Sequence, residues 1–278
     1  MGGFDSYAFG IWAHVGRGIL EDGTLDGLQS ALRFAAPSWT ERLRLSHIEY
    51  RHVGVKVPID TPGSMARAIR DRIPGGASWV PDADRPFPPS RFEFSGTPRS
   101  VRLELRLEES MRINLPALRK TDWINIEANA RTVADEPASV WIERVFDALC
   151  TEVQPRVATA STLGERVSAQ RRYGDDRESI EWLTFFGPDA VAALDVRSLP
   201  VLPPADIRQL GAGLRVRIGD DPGPGRRSGY WRLVDSVTDA LGDDAVSTVL
   251  SDRAKVTDPR TRDLPPARVG TWTPGPIR

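Results

Sequence analysis

Cysteine is nearly absent from this chain of 278 residues, with Cys150 as the single copy. One thiol excludes an intramolecular disulfide and a zinc cage built from several cysteines, and it fits a reducing compartment. No run of about 18 apolar residues is available to span a bilayer as a helix, and the N-terminus lacks the basic and apolar regions of a signal peptide. These absences predict a cytoplasmic protein with no membrane association.

Lysine is scarce as well, and positive charge is not in excess. Only Lys56, Lys120 and Lys255 are lysine among 37 basic residues, so 34 are arginine. Arginine, alanine, glycine and proline have GC-rich codons, so we expect a bacterial source with a GC-rich genome. The 38 acidic residues leave a formal net charge of −1. Nucleic-acid-binding domains usually concentrate a basic excess on one face, so that class of function is set aside.

Signatures of catalysis and of cofactor binding are missing too. The chain has no G-x-S-x-G nucleophile elbow and no phosphate-binding loop, and Gly211-Ala-Gly213 is followed by strand-like rather than helical sequence. His47 and His52 are five residues apart, which does not match the spacing of a zinc-binding helix. Cys150 lies beside the apolar stripe of a predicted helix, which favours a buried, inert thiol. We therefore predict no catalytic residue, no cofactor and no metal.

The first 98 residues predict an N-terminal α+β module. The expected elements are a strand at 9–15, a helix at 24–36, a strand at 53–59 and a helix after Thr61-Pro62. Residues 74–98 hold nine prolines and glycines and leave room for one short strand at 91–94. The module boundary is placed in this breaker-rich stretch.

Residues 99–256 predict a second module with clearer patterns. Its first strand alternates apolar and charged residues from Val101 to Glu108. The elements expected after it are a strand at 122–130, a helix at 137–153, a strand at 180–186, a short helix at 188–195, paired strands at 206–210 and 213–219, a helix at 230–241 and a strand at 245–250. From residue 122 this order is βαββαβ, the ferredoxin-like arrangement, with helices on one face of an antiparallel sheet.

The overall fold class predicted from these patterns is therefore α+β, and the N-terminal module would be a second, diverged α+β unit. Residues 257–278 are rich in proline and arginine, so this tail is expected to lie extended on the surface or to be disordered.

Two charged segments, residues 171–177 and 226–232, mix arginine with aromatic residues. These residue types dominate the hot spots of protein interfaces. The alternative interpretation is a solvated loop and a helix start whose aromatic side chain enters the core. Acidic residues beside these segments complete the candidate set. The nine candidate partner-binding residues are Arg171, Arg172, Tyr173, Asp175, Asp176, Asp220, Asp221, Arg226 and Arg227.

One part of the chain resembles a known group of proteins. The run Trp182-Leu-Thr-Phe-Phe-Gly-Pro-Asp-Ala-Val and the later run Ile207-Arg-Gln-Leu-Gly-Ala-Gly-Leu-Arg-Val-Arg-Ile-Gly-Asp-Asp-Pro are similar to the C-terminal part of bacterial immunity proteins. The groups in question are the type VI immunity proteins and the immunity protein 52 type, in which a W-L-x-F-x-G strand and a glycine-centred hairpin precede a helix. The resemblance covers about residues 100–245.

This resemblance implies an intracellular, non-enzymatic protein that neutralises a cognate bacterial toxin by binding it. It carries no catalytic residue over to this chain, because those families are not enzymes. The implied partner is a protein toxin, with no nucleic acid, membrane or cofactor involved.

Two other functions stay open at this point. An enzyme would build a dispersed site from His14, His47 or His52 and carboxylates in a groove between the two modules. A structural or assembly subunit of a phage or secretion system would use the tail, 257–278, to dock on a neighbouring subunit.

Overall fold

The computed structural model of this chain describes residues 9–15, 19, 23–48, 51–72, 91–95, 101–106, 122–128, 132–133, 136–162, 165, 180–194, 205–220 and 229–251. Ten strands within these ranges form one sheet in which all neighbours are antiparallel. In spatial order they are β11 (Ala205–Leu210), β12 (Gly213–Ile218), β10 (Leu183–Phe186), β9 (Val157–Thr162), β1 (Phe9–Val15), β6 (Asp122–Ala128), β5 (Val101–Arg106), β4 (Arg91–Ser95), β2 (Arg44–Ile48) and β3 (Arg51–Pro58).

The described residues also contain a two-strand ribbon and seven helices. The ribbon is β7 (Thr132–Val133) with β8 (Glu136–Pro137). The helices are α1 (Thr24–Ala35), α2 (Pro37–Thr40), α3 (Ser64–Arg70), α4 (Ala138–Val153), α5 (Pro188–Val191), α6 (Tyr230–Leu241) and α7 (Asp243–Ser251). None of these helices has the length and apolar character that crossing a membrane would need.

Strand β1 lies inside the sheet and joins the two halves of the chain. Its Ile11 is opposite Ile126 of β6 on one edge and opposite Ala160 of β9 on the other. Because β6 and β9 both run antiparallel to β1, they are parallel to each other, and α4 is the crossover between them. The sheet therefore continues across the predicted module boundary near residue 98.

Packing contacts also join the halves. Trp39 of α2 and Trp141 of α4 meet edge to face, with ring centroids 5.9 Å apart. The backbone nitrogen of Ile19 donates a hydrogen bond of 2.7 Å to Asp122 Oδ2 at the start of β6. One large core consequently contains buried residues from both halves.

Two cores lie on opposite faces of the sheet. Successive side chains of a strand point to opposite faces, and Phe185 belongs to the core with α1 and α4, whereas Phe186 belongs to the core with α6 and α7. The expectation of helices on one face therefore holds for α1 and α4. At the end of the sheet formed by β10 and β12, α6 and α7 cover the other face.

The α+β class and the antiparallel sheet are confirmed. The helix at 24–36, the helix at 137–153 and the helix that stops at Gly242 are present with bounds within one residue of those expected, as are the paired strands β11 and β12. The aromatic residues Trp182, Phe185 and Phe186 are fully buried, which confirms that they belong to the sheet core.

Several elements differ from the sequence-based expectation. Strand β2, helix α2 and the β7–β8 ribbon were not predicted, the strand expected at 180–186 begins at Leu183, and the helix expected at 188–195 ends at Val191. Residues 245–250 form part of helix α7 and not a last strand, so the final β of the predicted βαββαβ order is wrong. Val246, Val249 and Leu250 are buried at helical spacing, but so short an apolar run fits either element. Strand β9 was not predicted because all six of its residues are buried, and a strand covered on both faces shows no alternation.

Gly213 opens β12 at a point where the backbone meets the aromatic core. A Cβ atom there would lie 2.3 Å from the Phe185 ring and 2.5 Å from the Phe186 carbonyl oxygen. We expect Gly213→Ala to lower the free energy of unfolding by about 1–3 kcal/mol, because overpacking forces the ring or the strand to move. Urea denaturation measures this loss.

The matched control is Ala212→Ser in the same turn, where the side chain is exposed. A change within about 0.5 kcal/mol is expected for that variant. Equal stability of the Gly213→Ala protein and the wild type would contradict the packing described for β12.

Candidate protein-binding groove

Helices α1 and α4 pack antiparallel at close range. A Cβ atom on Gly27 would lie 2.9 Å from the carbonyl oxygen of Glu152, so glycine is needed where the helices approach most closely. Two turns further along α1, Arg144 Nε donates a hydrogen bond of 2.7 Å to the carbonyl oxygen of Ala35. Gly27, Ala31 and Ala35 lie at four-residue intervals, and these small residues allow the two backbones to approach each other.

An open groove of about 560 Å³ runs along this helix pair. Phe34 on α1 is 81% exposed and Val140 on α4 is 50% exposed, and both line the groove. They are the two large apolar side chains that are exposed in the part of the chain that the structure describes. The remaining lining residues are Ala31, Glu143, Arg144, Asp147, Ala148, Thr151 and Glu152. Exposed apolar side chains that line one groove together with polar residues are typical of a binding surface.

One side of the groove is held in place by a buried arginine. Arg215 of β12 has no exposed side-chain surface, and its guanidinium group forms a charge-assisted hydrogen bond with Glu143. Its Nε lies 3.0 Å from Asp147 Oδ1, as an ion pair without hydrogen-bond alignment. Its Nη1 lies 3.4 Å from Asp206 Oδ2 on the neighbouring strand. Arg215 therefore ties α4 to the β11–β12 hairpin.

Two further arginines, the exposed Arg208 and the half-buried Arg217, extend this cluster. Arg208 Nη2 donates a hydrogen bond of 2.6 Å to Asp147 Oδ2, and Arg217 Nη1 lies 3.3 Å from Glu143 Oε1. Burial raises the pKa of Asp147, and the two nearby guanidinium groups of Arg215 and Arg208 oppose that rise. The carboxylates of α4 thus serve the contact with the hairpin as well as the rim of the groove.

The C-terminal end of α4 is fixed by Gln154, which has a left-handed backbone with φ of 49°. Its side-chain nitrogen donates a hydrogen bond of 2.7 Å to the carbonyl oxygen of Cys150. Its side-chain oxygen accepts a hydrogen bond of 3.3 Å from the backbone nitrogen of Ala212. Cys150 itself is fully buried, as predicted, and burial raises the pKa of its thiol well above the usual value. This end of the groove is therefore anchored to the β11–β12 turn.

Replacing Arg215 tests whether this cluster supports the groove. In Arg215→Met the carboxylates of Glu143 and Asp147 lose their buried partner, and we expect the free energy of unfolding to fall by about 3–5 kcal/mol. The control is Arg208→Met, since the Arg208 side chain is 48% exposed and an exposed pair contributes about 1 kcal/mol or less. Chemical denaturation of both variants measures the difference, and equal losses would argue against a special role for Arg215.

Two buried acidic residues lie away from the groove, one just after β9 and the other just before β10. Glu165 and Glu181 are 3% and 4% exposed. Glu165 Oε1 accepts a hydrogen bond of 3.1 Å from the Trp182 nitrogen, and Glu181 Oε2 accepts one of 2.7 Å from Ser161 Oγ. Burial and then the neighbouring Glu181 carboxylate raise the pKa of Glu165 from 4.5 to about 9. Glu165 is therefore a neutral acid at neutral pH.

This raised pKa makes stability depend on pH. The folded protein holds the Glu165 proton up to pH of about 9 and the unfolded chain releases it near 4.5, so stability is highest below 4.5 and declines between these values. Glutamine mimics the neutral acid, so we expect Glu165→Gln to remove this decline and to be more stable than wild type at pH 7.5 by as much as about 4 kcal/mol.

Denaturation of both proteins at several pH values provides the measurement. The two are expected to converge below pH 4.5, where the wild-type carboxyl is protonated in both states. Glu181→Gln serves as a companion variant. Loss of the neighbouring carboxylate is expected to lower the pKa of Glu165, so the decline in stability should end at a lower pH than in the wild type. If the free energy of unfolding depends on pH in the same way for the wild type and Glu165→Gln, the raised pKa of Glu165 is refuted.

The structure does not bring the three histidines together. His47 and His52 are cross-strand neighbours in β2 and β3, and His47 Nδ1 lies 3.4 Å from Glu93 Oε1. His14 lies on β1, which is four strand spacings from β2, or roughly 19 Å. The described ranges contain no group of three or more histidine, cysteine or acidic residues placed to hold a metal ion.

Most of the sequence-predicted partner-binding residues fall outside the described ranges, and so does the tail at 257–278. Asp220 is described, with 84% of its side chain exposed and Oδ1 3.6 Å from Arg217 Nη2. The candidates outside the described ranges are Arg171, Arg172, Tyr173, Asp175, Asp176, Asp221, Arg226 and Arg227.

Sequence reasoning missed the groove, although one signal for it was present. Phe34 lies off the apolar stripe of α1 that includes Leu28, Ala31 and Leu32, so a helical projection places this phenylalanine on the polar side. A large aromatic residue at such a position points to an exposed contact.

Comparisons with known proteins show similarity of fold. A solved structure titled Pseudomonas aeruginosa T6SS protein PA0821, a protein of the type VI secretion system, matches with a TM-score of 0.52 and 12% sequence identity. The match covers 84% of this chain and 73% of that chain. No family model matches the sequence, and no curated protein matches it.

Proposed function

We propose that this protein acts in the cytoplasm as an immunity protein associated with a type VI secretion system, and neutralises a cognate protein toxin by binding it. The observation that carries the proposal is the fold similarity to a protein titled as part of that system. The resemblance of residues 100–245 to bacterial immunity proteins supports the same assignment.

The groove between α1 and α4 suits a binding role. Phe34 and Val140 are exposed apolar side chains on two closely packed helices, and the Arg215 cluster ties one of these helices, α4, to the β11–β12 hairpin. A rigid, apolar contact flanked by charges resembles the core and rim of a protein interface. The proposed activity needs no reaction, because a toxin is neutralised when its working surface is covered.

Co-expression with the product of the adjacent upstream gene tests this function. In a laboratory bacterial host we expect that product alone to arrest growth, and this protein to restore viable counts when expressed at equal or higher level. Protection by occlusion is stoichiometric, so it is expected to titrate with the ratio of the two proteins, and the purified pair is expected to elute together.

Other outcomes identify the competing functions. Protection at far below one equivalent would indicate an enzyme that inactivates the toxin. Self-association into large particles, without protection, would indicate a structural or assembly subunit. Growth arrest that this protein does not relieve contradicts the proposed immunity function.

A further inference from the structure

We infer that the groove between α1 and α4 receives a basic segment of the partner protein, with an apolar side chain placed against Phe34 and Val140 and an arginine or lysine at Glu152. This inference rests on the proposed function only in taking the partner to be a protein. It adds the chemical nature of the part that docks.

The apolar end of the groove favours an aliphatic or aromatic side chain. Phe34 is 81% exposed, and its burial by a partner would remove most of that surface from water. Removing a phenylalanine side chain from water is among the larger apolar contributions that one residue makes to a complex. Ala31 and Ala148, which also line the groove, are both buried and small, so the groove has room for an inserted side chain.

The other end of the groove favours a cation. Glu152 is exposed and lies in the last turn of α4, which contains no basic residue. The C-terminal end of a helix carries partial negative charge, so a carboxylate there is unfavourable and a nearby cation is favourable. A partner's arginine or lysine at Glu152 would supply the positive charge that the last turn of α4 lacks.

Charges around the groove leave a negative excess. Carboxylates outnumber guanidinium groups by six to four in the rim and its ion-pair cluster, and the buried Arg215 is already shared among three carboxylates. The carboxylates are Glu136, Glu143, Asp147, Glu152, Asp206 and Asp220, and the guanidinium groups are Arg144, Arg208, Arg215 and Arg217. Complementary charge steers association and discriminates against acidic partners.

Helix geometry sets the spacing of the partner's side chains. Gly27 lies beside Glu152, so Phe34 is seven residues further along the groove, which corresponds to roughly 10 Å of helix. On a helical partner this distance separates side chains two turns apart, and on an extended partner it separates side chains about three residues apart. The expected motif is therefore an apolar and a basic residue at one of these two spacings.

A displayed library of random dodecapeptides, selected on the purified full-length protein, tests this inference. We expect enriched peptides to combine an apolar residue with arginine or lysine at the stated spacing. Their affinity, measured by fluorescence anisotropy, is expected to fall about tenfold in Phe34→Ser and in Glu152→Lys and to weaken as salt rises. Both positions are exposed, so neither variant removes a core contact, and Arg232→Ser on α6 is the exposed control that leaves affinity unchanged.

A charge exchange separates direct contact from indirect effects. Replacing the basic residue of an enriched peptide by glutamate is expected to weaken binding to the wild type and to restore binding to Glu152→Lys. Enrichment of acidic or uncharged peptides, failure of this rescue, or Phe34-dependent self-association of the protein would each overturn the inference.

The growth assay distinguishes this inference from the proposed function. Peptide binding as expected, together with no protection against the toxin, would leave the basic-segment site standing and remove the immunity function. Full protection by both Phe34→Ser and Glu152→Lys would leave immunity standing and remove the groove as the toxin contact.

Discussion

The pairing of β1 on both of its edges is the constraint on which the rest of the structure depends. β1 is the first described strand, yet its two neighbours, β6 and β9, come more than 100 residues later in the chain. Its backbone groups are satisfied only when both later strands are in place, since an unpaired buried amide or carbonyl is costly. This arrangement also determines where α4 lies, because α4 connects β6 to β9 across β1.

The position of α4 in turn creates the candidate site. On one side α4 packs against α1 through small residues, and on the other its carboxylates meet arginines of the β11–β12 hairpin. The side chains that the groove exposes, Phe34 and Val140, are left over after both helices have buried their apolar stripes. The two helices are held by close packing and α4 also by ion pairs, and preorganisation of this kind lowers the entropy cost of binding a partner.

Much of the fold was predictable from the sequence, and the candidate site was not. Helix α4 and strand β5 are each covered on one face. In such elements the spacing of apolar residues along the sequence shows which positions are buried. β9 lacks such a period because it is covered on both faces. Phe34 and Glu152 belong to different predicted elements, 118 residues apart in the sequence, and no local pattern places them along one groove.

For the aromatic segment at 180–186, too, the sequence predicted burial, and only the tertiary structure showed which core each side chain joins. Its residues were enough to predict a buried strand, and Trp182, Phe185 and Phe186 are fully buried. That Phe185 and Phe186 serve two different cores depended on helices covering both faces of the sheet.

By itself, the sequence determined the α+β class, the main helices, the burial of Cys150 and the absence of recognisable catalytic motifs. Each of these properties follows from composition or from periodicity within a short stretch. Only the tertiary structure decided the order of the strands, the burial of Arg215 among carboxylates and the groove between α1 and α4. These features arise from contacts between distant residues, and their free energy is gained only when the intervening chain has folded.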